Sequence, residues 1–172
     1  MEDFNLWENP VVMNEVTPLE LEGFSGYYCV DTVEGLELHH CAKVGEKLQL
    51  PDQISGRWVT SIAAGALCNS DELIEVVLPH GLRHIGDYAF FQCGKIKNLQ
   101  IPNGVRSIGE RSFASCVGIE SVYIPPSVET IGEGAFEGIE GLHISGAENS
   151  AAQRYAEAHG LSFKPSSGPA AA

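Results

Sequence analysis

Three successive segments, VTSIAAGALCNSDELIEVVLPHG (59–81), LRHIGDYAFFQCGKIKNLQIPNG (82–104) and VRSIGERSFASCVGIESVYIPPS (105–127), align without a gap at a period of 23 residues. A unit this short cannot bury its own apolar side. Units with a fixed period therefore stack, and the core grows by one layer per copy. A fourth copy begins in phase with VETIGEGAFEG at Val128 and is expected to lose three residues, so that Leu142 and Ile144 take the places of Val122 and Ile124. Upstream, Leu48, Gln49, Leu50 and Pro51 repeat the close of the unit, and five extra residues before Val59 mark an irregular first coil. The expectation is a solenoid of about five coils.

Each unit contains a short alternating stretch: Val76-Val77-Leu78, Leu99-Gln100-Ile101, Val122-Tyr123-Ile124 and Leu142-His143-Ile144. Period-two alternation predicts a strand whose outer members point inward. Glu75/Val77, Asn98/Gln100, Ser121/Tyr123 and Gly141/His143 then form one open face. Pro79, Pro102 and Pro125 follow the first three strands, where a missing donor ends the pairing. A second in-register set, Val59/Ile62, Leu82/Ile85, Val105/Ile108 and Val128/Ile131, is followed by Ala63, Gly86, Gly109 and Gly132. Glycine there predicts a turn with positive φ. Leu67, Phe90, Phe113 and Phe136 come four residues after that turn, on a predicted single helical or 3₁₀ turn that points the aromatic ring into the core.

A solenoid needs closed ends, because a bare coil exposes apolar surface and unpaired backbone groups. Tyr27–Val30 and Leu36–His39 around Glu34-Gly35 read as a hairpin. Asn149-Ser150 can cap a helix from Ala151 to His159 that stops at Gly160, with Ala151, Ala152, Tyr155 and Ala156 against the last coil. Leu161 and Phe163 add an extended segment. The chain divides into a lead segment (1–22), a capping hairpin with the first coil (23–58), the repeats (59–148), a closing cap (149–163) and a disordered tail (164–172). For the lead segment, docking through Phe4, Leu6 and Trp7 and full mobility are both open.

A net charge of −13 without a Lys/Arg block argues against nucleic acid as partner. No apolar run approaches the roughly 18 to 20 residues that span a bilayer, and the acidic start MEDFNLWENPVV lacks the pattern of a secretory signal. The expectation is a soluble chain without membrane insertion, cytoplasmic as it stands or exported if a leader has been removed. The odd set of five cysteines lacks the dense spacing of a disulfide scaffold.

The consensus V-x-S-I-G-x-x-A-F-x-x-C-x-x-I-x-x-L-x-I-P, clearest in GDYAFFQC, GERSFASC and GEGAFEG, resembles the BspA-type (Treponema pallidum-like) leucine-rich repeat. The resemblance extends over roughly residues 24 to 163 through YYCVDTVEGLELHHC at one end and AQRYAEAHGLSFKP at the other. It implies an α/β, right-handed leucine-rich-repeat-type solenoid of short strands and one-turn helical segments, with a hairpin cap and a helix cap. It also implies a protein-binding, non-enzymatic scaffold, commonly a bacterial surface or secreted adhesion protein.

Among chemistry-bearing residues, Cys93 and Cys116 hold equivalent places roughly 5 Å apart, open to a disulfide or to packing as small apolar groups. Cys68 is two positions out of phase and reads as a turn residue. Cys29, His39, His40 and Cys41 are metal-ligand types without tetrahedral spacing, and no metal or other cofactor is expected. Gly132, Gly134 and Gly138 belong to the repeat and not to a phosphate loop, and Glu72/Glu75 read as a solvated edge. With no nucleophile motif beside a base, no catalytic residue is expected. Partner contact is expected along Glu75, Val77, Asn98, Gln100, Ser121, Tyr123 and His143, a lightly charged strip that reads equally as a plain solvated face. Arg83, His84 and Arg106 form a second candidate, for an anion, unless Glu110, Glu129 or Asp87 neutralises them. A protein partner heads the expectations. The alternatives are a glycan or surface-adhesin role and a self-assembling subunit, with the chain monomeric or weakly self-associating.

Overall fold

A computed structural model describes residues 27–41 and 44–168; the lead-segment residues Phe4, Leu6 and Trp7 lie outside it, as does the end of the tail. The described residues open with a hairpin, β1 (Tyr27–Asp31) and β2 (Leu36–Cys41). It continues through β3 (Lys47–Gln49), β4 (Gln53–Ile54) and β5 (Arg57–Ile62) into β6 (Glu75–Val77), β7 (His84–Ile85), β8 (Leu99–Gln100), β9 (Ser107–Ile108), β10 (Ser121–Ile124), β11 (Thr130–Ile131) and β12 (His143–Gly146). Helix α1 (Ala151–Ala158) and β13 (Ser162–Pro165) follow the last coil.

The strands form two ladders. One, the flank ladder, runs β1-β2-β5-β7-β9-β11, parallel after the antiparallel hairpin. The other, the face ladder, joins β3 to β6 and β8 to β10, β12 and β13, with the bridge Glu75↔Asn98 linking the two parts. Six rungs result, one more than the coil number read from the sequence.

Between the ladders the chain turns through i→i+3 hydrogen bonds such as Ala89 N–H to the Gly86 carbonyl (3.3 Å) and Cys93 N–H to the Phe90 carbonyl (3.2 Å). These are single i→i+3 turns at the place the spacing gives them, and they do not continue into a regular helix. Left-handed backbone at Tyr88 and Gln92, repeated at Arg111 and Ser115, breaks each turn before it can propagate.

The glycines Gly86, Gly109 and Gly132 do not have positive φ, so the expected reason for them is wrong. A Cβ at Gly86 would lie 2.7 Å from the Ala63 carbonyl carbon, at Gly109 2.5 Å from that of Gly86, and at Gly132 2.6 Å from that of Gly109. Glycine is needed there for close approach of consecutive coils. The left-handed positions, two and six residues later, carry Tyr88, Arg111, Gln92 and Ser115.

Phe90 and Phe113 stack at 5.1 Å and Phe113 and Phe136 at 5.4 Å, with planes 7° apart in both pairs, and all three side chains are buried. The backbone N–H of each spine residue is answered by the next coil: Leu67 donates to Ala89, Phe90 to Ser112 and Phe113 to Ala135, at 2.7–2.8 Å. Phe136 has no following coil, and the Tyr155 hydroxyl accepts its N–H at 3.1 Å while the ring meets Phe136 edge-on. Helix α1 thus closes the spine. Ser150 caps it by accepting from Gln153 N–H, and Gln153 Oε1 in turn accepts the Asn149 N–H at 2.8 Å.

In the last coil the period holds through Ile139, in the place of Cys116, and Leu142, in the place of Ile119; a single residue is then lost before Ile144, which pairs with Val122. The expected loss of three residues, with Leu142 opposite Val122, is therefore incorrect. Gly146 takes the inward place of Ile124, and a Cβ there would sit 3.0 Å from that of Ala152. The bulky residue is absent because the helix packs there. β13 extends through Lys164 and Pro165, which composition alone places in the tail.

Candidate functional site

Pairing along the face ladder fixes which side chains share the open side. One column reads Lys47, Glu75, Asn98, Ser121, His143, Ser162; the other reads Gln49, Val77, Gln100, Tyr123, Ser145, Lys164. The structure thus brings together Glu75, Val77, Asn98, Gln100, Ser121 and Tyr123 as the alternation predicts. His143 shifts column. It pairs with Ser121, while Ser145 lies beside Tyr123. Lys47, Gln49, Ser162 and Lys164 were missed because β3 and β13 stand outside the 23-residue spacing, where the alternations KLQL and SFKP were the available signal, and Ser145 of β12 was missed because the loss in the last coil was misplaced.

A groove of about 550 Å³ lies over this face, floored by Val77, Asn98, Gln100 and Tyr123 and walled by His80 and Asn103 at the corners after the strands. Its charge is nearly cancelled. Lys47 Nζ lies 2.8 Å from Glu75 Oε2, and this bond raises the Lys47 pKa. His80 is held by Asp52, whose carboxylate accepts the His80 N–H at 2.7 Å and is thereby lowered in pKa. What is left is amide, hydroxyl and aromatic surface on a chain of net charge −13.

The second candidate does not assemble. Arg83 reaches toward the Gly104 carbonyl at 3.5 Å, whereas His84 turns to Ser107 Oγ (2.8 Å) and Glu34 Oε2 (3.4 Å). Arg106 has no ion-pair partner among the described residues, so the expected neutralisation by Glu110, Glu129 or Asp87 is not made through direct contact. Asp87 accepts the Glu110 N–H instead. Ser107, His84 and Glu34 resemble a nucleophile, base and carboxylate, but the neighbouring Ser107 and Gly109 N–H groups already donate to Arg83 and Ile85. Those donors are not available to an oxyanion.

Cys93 and Cys116 are thiols, each donating S–H to a carbonyl of the preceding coil, Leu67 at 3.1 Å and Phe90 at 3.0 Å. Burial pushes their pKa values up to about 11 and about 12. Core packing is their role, and the disulfide reading is set aside. Among the described residues no group of His, Cys, Asp and Glu could hold a metal ion: His39 pairs with Glu37 at 2.9 Å, and the His40 ring lies 5.9 Å from that of Tyr28, tilted by 38°. No described helix is long and apolar enough to cross a membrane.

Short parallel strands recurring on every coil, with a stacked phenylalanine spine and caps at both ends, define a leucine-rich-repeat-type solenoid. The chain belongs to the BspA-type leucine-rich repeat family: the sequence model of the BspA type leucine rich repeat region matches residues 45–152 in six copies. The fold is similar to that of a leucine-rich repeat protein from T. pallidum, with a TM-score of 0.59 at 22% identity over 91% of this chain and 84% of that one. It is also similar to a leucine-rich repeat protein from Bacteroides ovatus, with a TM-score of 0.58 at 25% identity over 71% of this chain and 36% of the other. No curated protein matches it. The family fold is that of a protein-interaction repeat module, generally non-enzymatic and often surface-exposed or secreted.

Proposed function

We propose that this chain binds a protein partner along the face ladder, through Asn98, Gln100 and Tyr123 with Glu75, Val77, Ser121 and His143 around them. The observation that carries this reading is the charge-cancelled groove on an otherwise acidic molecule. Acidic surface elsewhere keeps the chain apart from its own copies, while a patch of amides with an aromatic matches the composition of protein contact surfaces. Tyrosine supplies much apolar area at little conformational cost and recurs at the energetic centre of interfaces.

The test is affinity capture from the source organism's lysate and from its surroundings, with wild type beside Asn98→Ala/Gln100→Ala. Both side chains are exposed, so the double variant should fold with a stability change within about 1 kcal/mol. A protein retained by wild type and lost by the folded variant supports the reading. A protein retained equally by both places the contact elsewhere.

A further inference from the structure

The residues that follow β13, Ser166 to Gly168, turn back onto the molecule. Ser166 N–H donates to the Gly146 carbonyl at 2.8 Å, carrying the backbone past the end of β12, and Gly168 N–H donates to Ser166 Oγ at 3.2 Å, closing a tight bend. The bend sets Gly168 on Tyr123. A Cβ at Gly168 would fall 2.9 Å from Tyr123 Cζ and Oη and 3.2 Å from Cε1. Gly168 also has φ +104°, a conformation costly for any other residue. Two separate requirements for glycine, space and backbone, thus meet at one contact. Ser167 and Gly168 form one end of the groove whose far end is Glu75 and His80.

We propose that the short segment Ser166 to Gly168 is an intramolecular occupant of one end of this groove, laid over Tyr123 so that a partner at the face must displace it. The proposal rests on the reading of the face as the binding surface. The direction of the chain supports it, since the bend turns back from the last coil toward Gln100 and Val77. The chemistry agrees as well: Ser166, Ser167 and Gly168 are small and uncharged, and the Gln100 and Tyr123 side chains of the groove are uncharged too. A tethered segment is present at an effective concentration in the millimolar range, enough to compete with a foreign peptide without itself binding tightly.

Nitration of tyrosine by tetranitromethane tests this without a partner, because the reaction occurs at the ring carbons beside the hydroxyl, the edge that Gly168 covers. The full chain, a chain ending at Pro165 and the Gly168→Ala variant are compared by peptide mass mapping. Tyr28, 39% exposed, is the internal reference and Tyr155, 6% exposed, reports an intact cap. The expected result is Tyr123 nitration faster by roughly threefold or more in the shortened chain, as for release of a weakly held terminal segment, and an intermediate rate in Gly168→Ala. Equal Tyr123 rates in all three proteins would overturn the proposal while leaving the partner-binding reading intact. Faster nitration combined with a partner that ignores Asn98→Ala/Gln100→Ala would keep the strap and sink the binding reading. Should the shortened chain also expose Tyr155, Gly168→Ala decides alone: a faster rate supports the strap and an unchanged rate overturns it.

Discussion

The two ends of the solenoid stop the same repeating structure by different chemistry. At the N-terminal end the flank ladder goes on pairing, since β2 is hydrogen-bonded to β5 on one side and to antiparallel β1 on the other. Ladder donors there are met by more strand. At the C-terminal end no strand follows β11. Helix α1 packs there, and one phenolic oxygen replaces the carbonyl that a further coil would have brought to Phe136. The face ladder finishes on β13, an edge strand carrying exposed Lys164 and Pro165, residues that discourage pairing with another chain. A repeat array can thus be ended by changing the pairing direction or by substituting a side chain for a backbone acceptor. The second method concentrates the closure in one atom.

The strongest way to break this comparison is to cut the connection between the ends. Phe113→Ala removes the middle ring of the spine and should cost roughly 3–5 kcal/mol, seen as a lower midpoint in urea. Loss of a single cooperative transition in that variant would show the two ends melting apart. Tyr155→Phe keeps the ring and removes the acceptor, leaving the buried Phe136 N–H unanswered at a cost of about 1–3 kcal/mol. Hydrogen exchange should rise in the last coil and stay unchanged in β1 and β2. Uniform acceleration would contradict local closure.

At the other end, Gly35→Ala places a Cβ 2.6 Å from the Trp58 carbonyl oxygen and should cost about 1–3 kcal/mol through strain, with faster exchange in β1 and β2 first. Alkaline pH acts on the middle of the stack. Cys93 and Cys116 have pKa values raised to about 11 and about 12, above those of an unfolded thiol, so their contribution is complete below about pH 8.5 and falls as pH rises through the folded values. Thermal melting should drop between pH 9 and 11 more steeply in wild type than in Cys93→Ala/Cys116→Ala. The smallest effect has the opposite sign. Ser112 is buried with no partner for its hydroxyl, where Ala66, Ala89 and Ala135 occupy the equivalent places, so Ser112→Ala should be neutral or stabilising by up to about 1 kcal/mol.

Much of this was legible in the sequence because period and alternation are local properties. The inward pairs, the phenylalanine spine, the hairpin around Gly35 and the capping helix with Ala152 and Tyr155 all follow from spacing. What escaped depends on neighbours that spacing does not reveal. Gly86, Gly109 and Gly132 look like turn residues until the preceding coil is seen against them, and the true left-handed places are hidden under Tyr88 and Arg111. The residue missing from the last coil could be placed before or after Leu142, and only the packing of Ala152 against Gly146 decides it. Of the candidate face, Asn98, Gln100 and Tyr123 were readable, whereas the shift of His143 followed from that same misplacement. Arg83 and His84 are sequence neighbours whose side chains find different partners, Gly104 on one side and Ser107 with Glu34 on the other.

The repeat spacing has a consequence for how the chain reaches this structure. Rungs join residues 23 positions apart along most of the stack, as Leu99 to Val122 and Ser107 to Thr130. Against a length of 172 residues that separation is roughly 0.13 of the chain, a modest reach compared with the non-local pairing of β sandwiches. Each coil closes a loop of nearly the same length, so the entropic cost of adding one does not grow with the number already formed. A longer array of the same unit would therefore search no further along its own sequence than this one does, and the speed of folding would be set by the first pair of coils to meet.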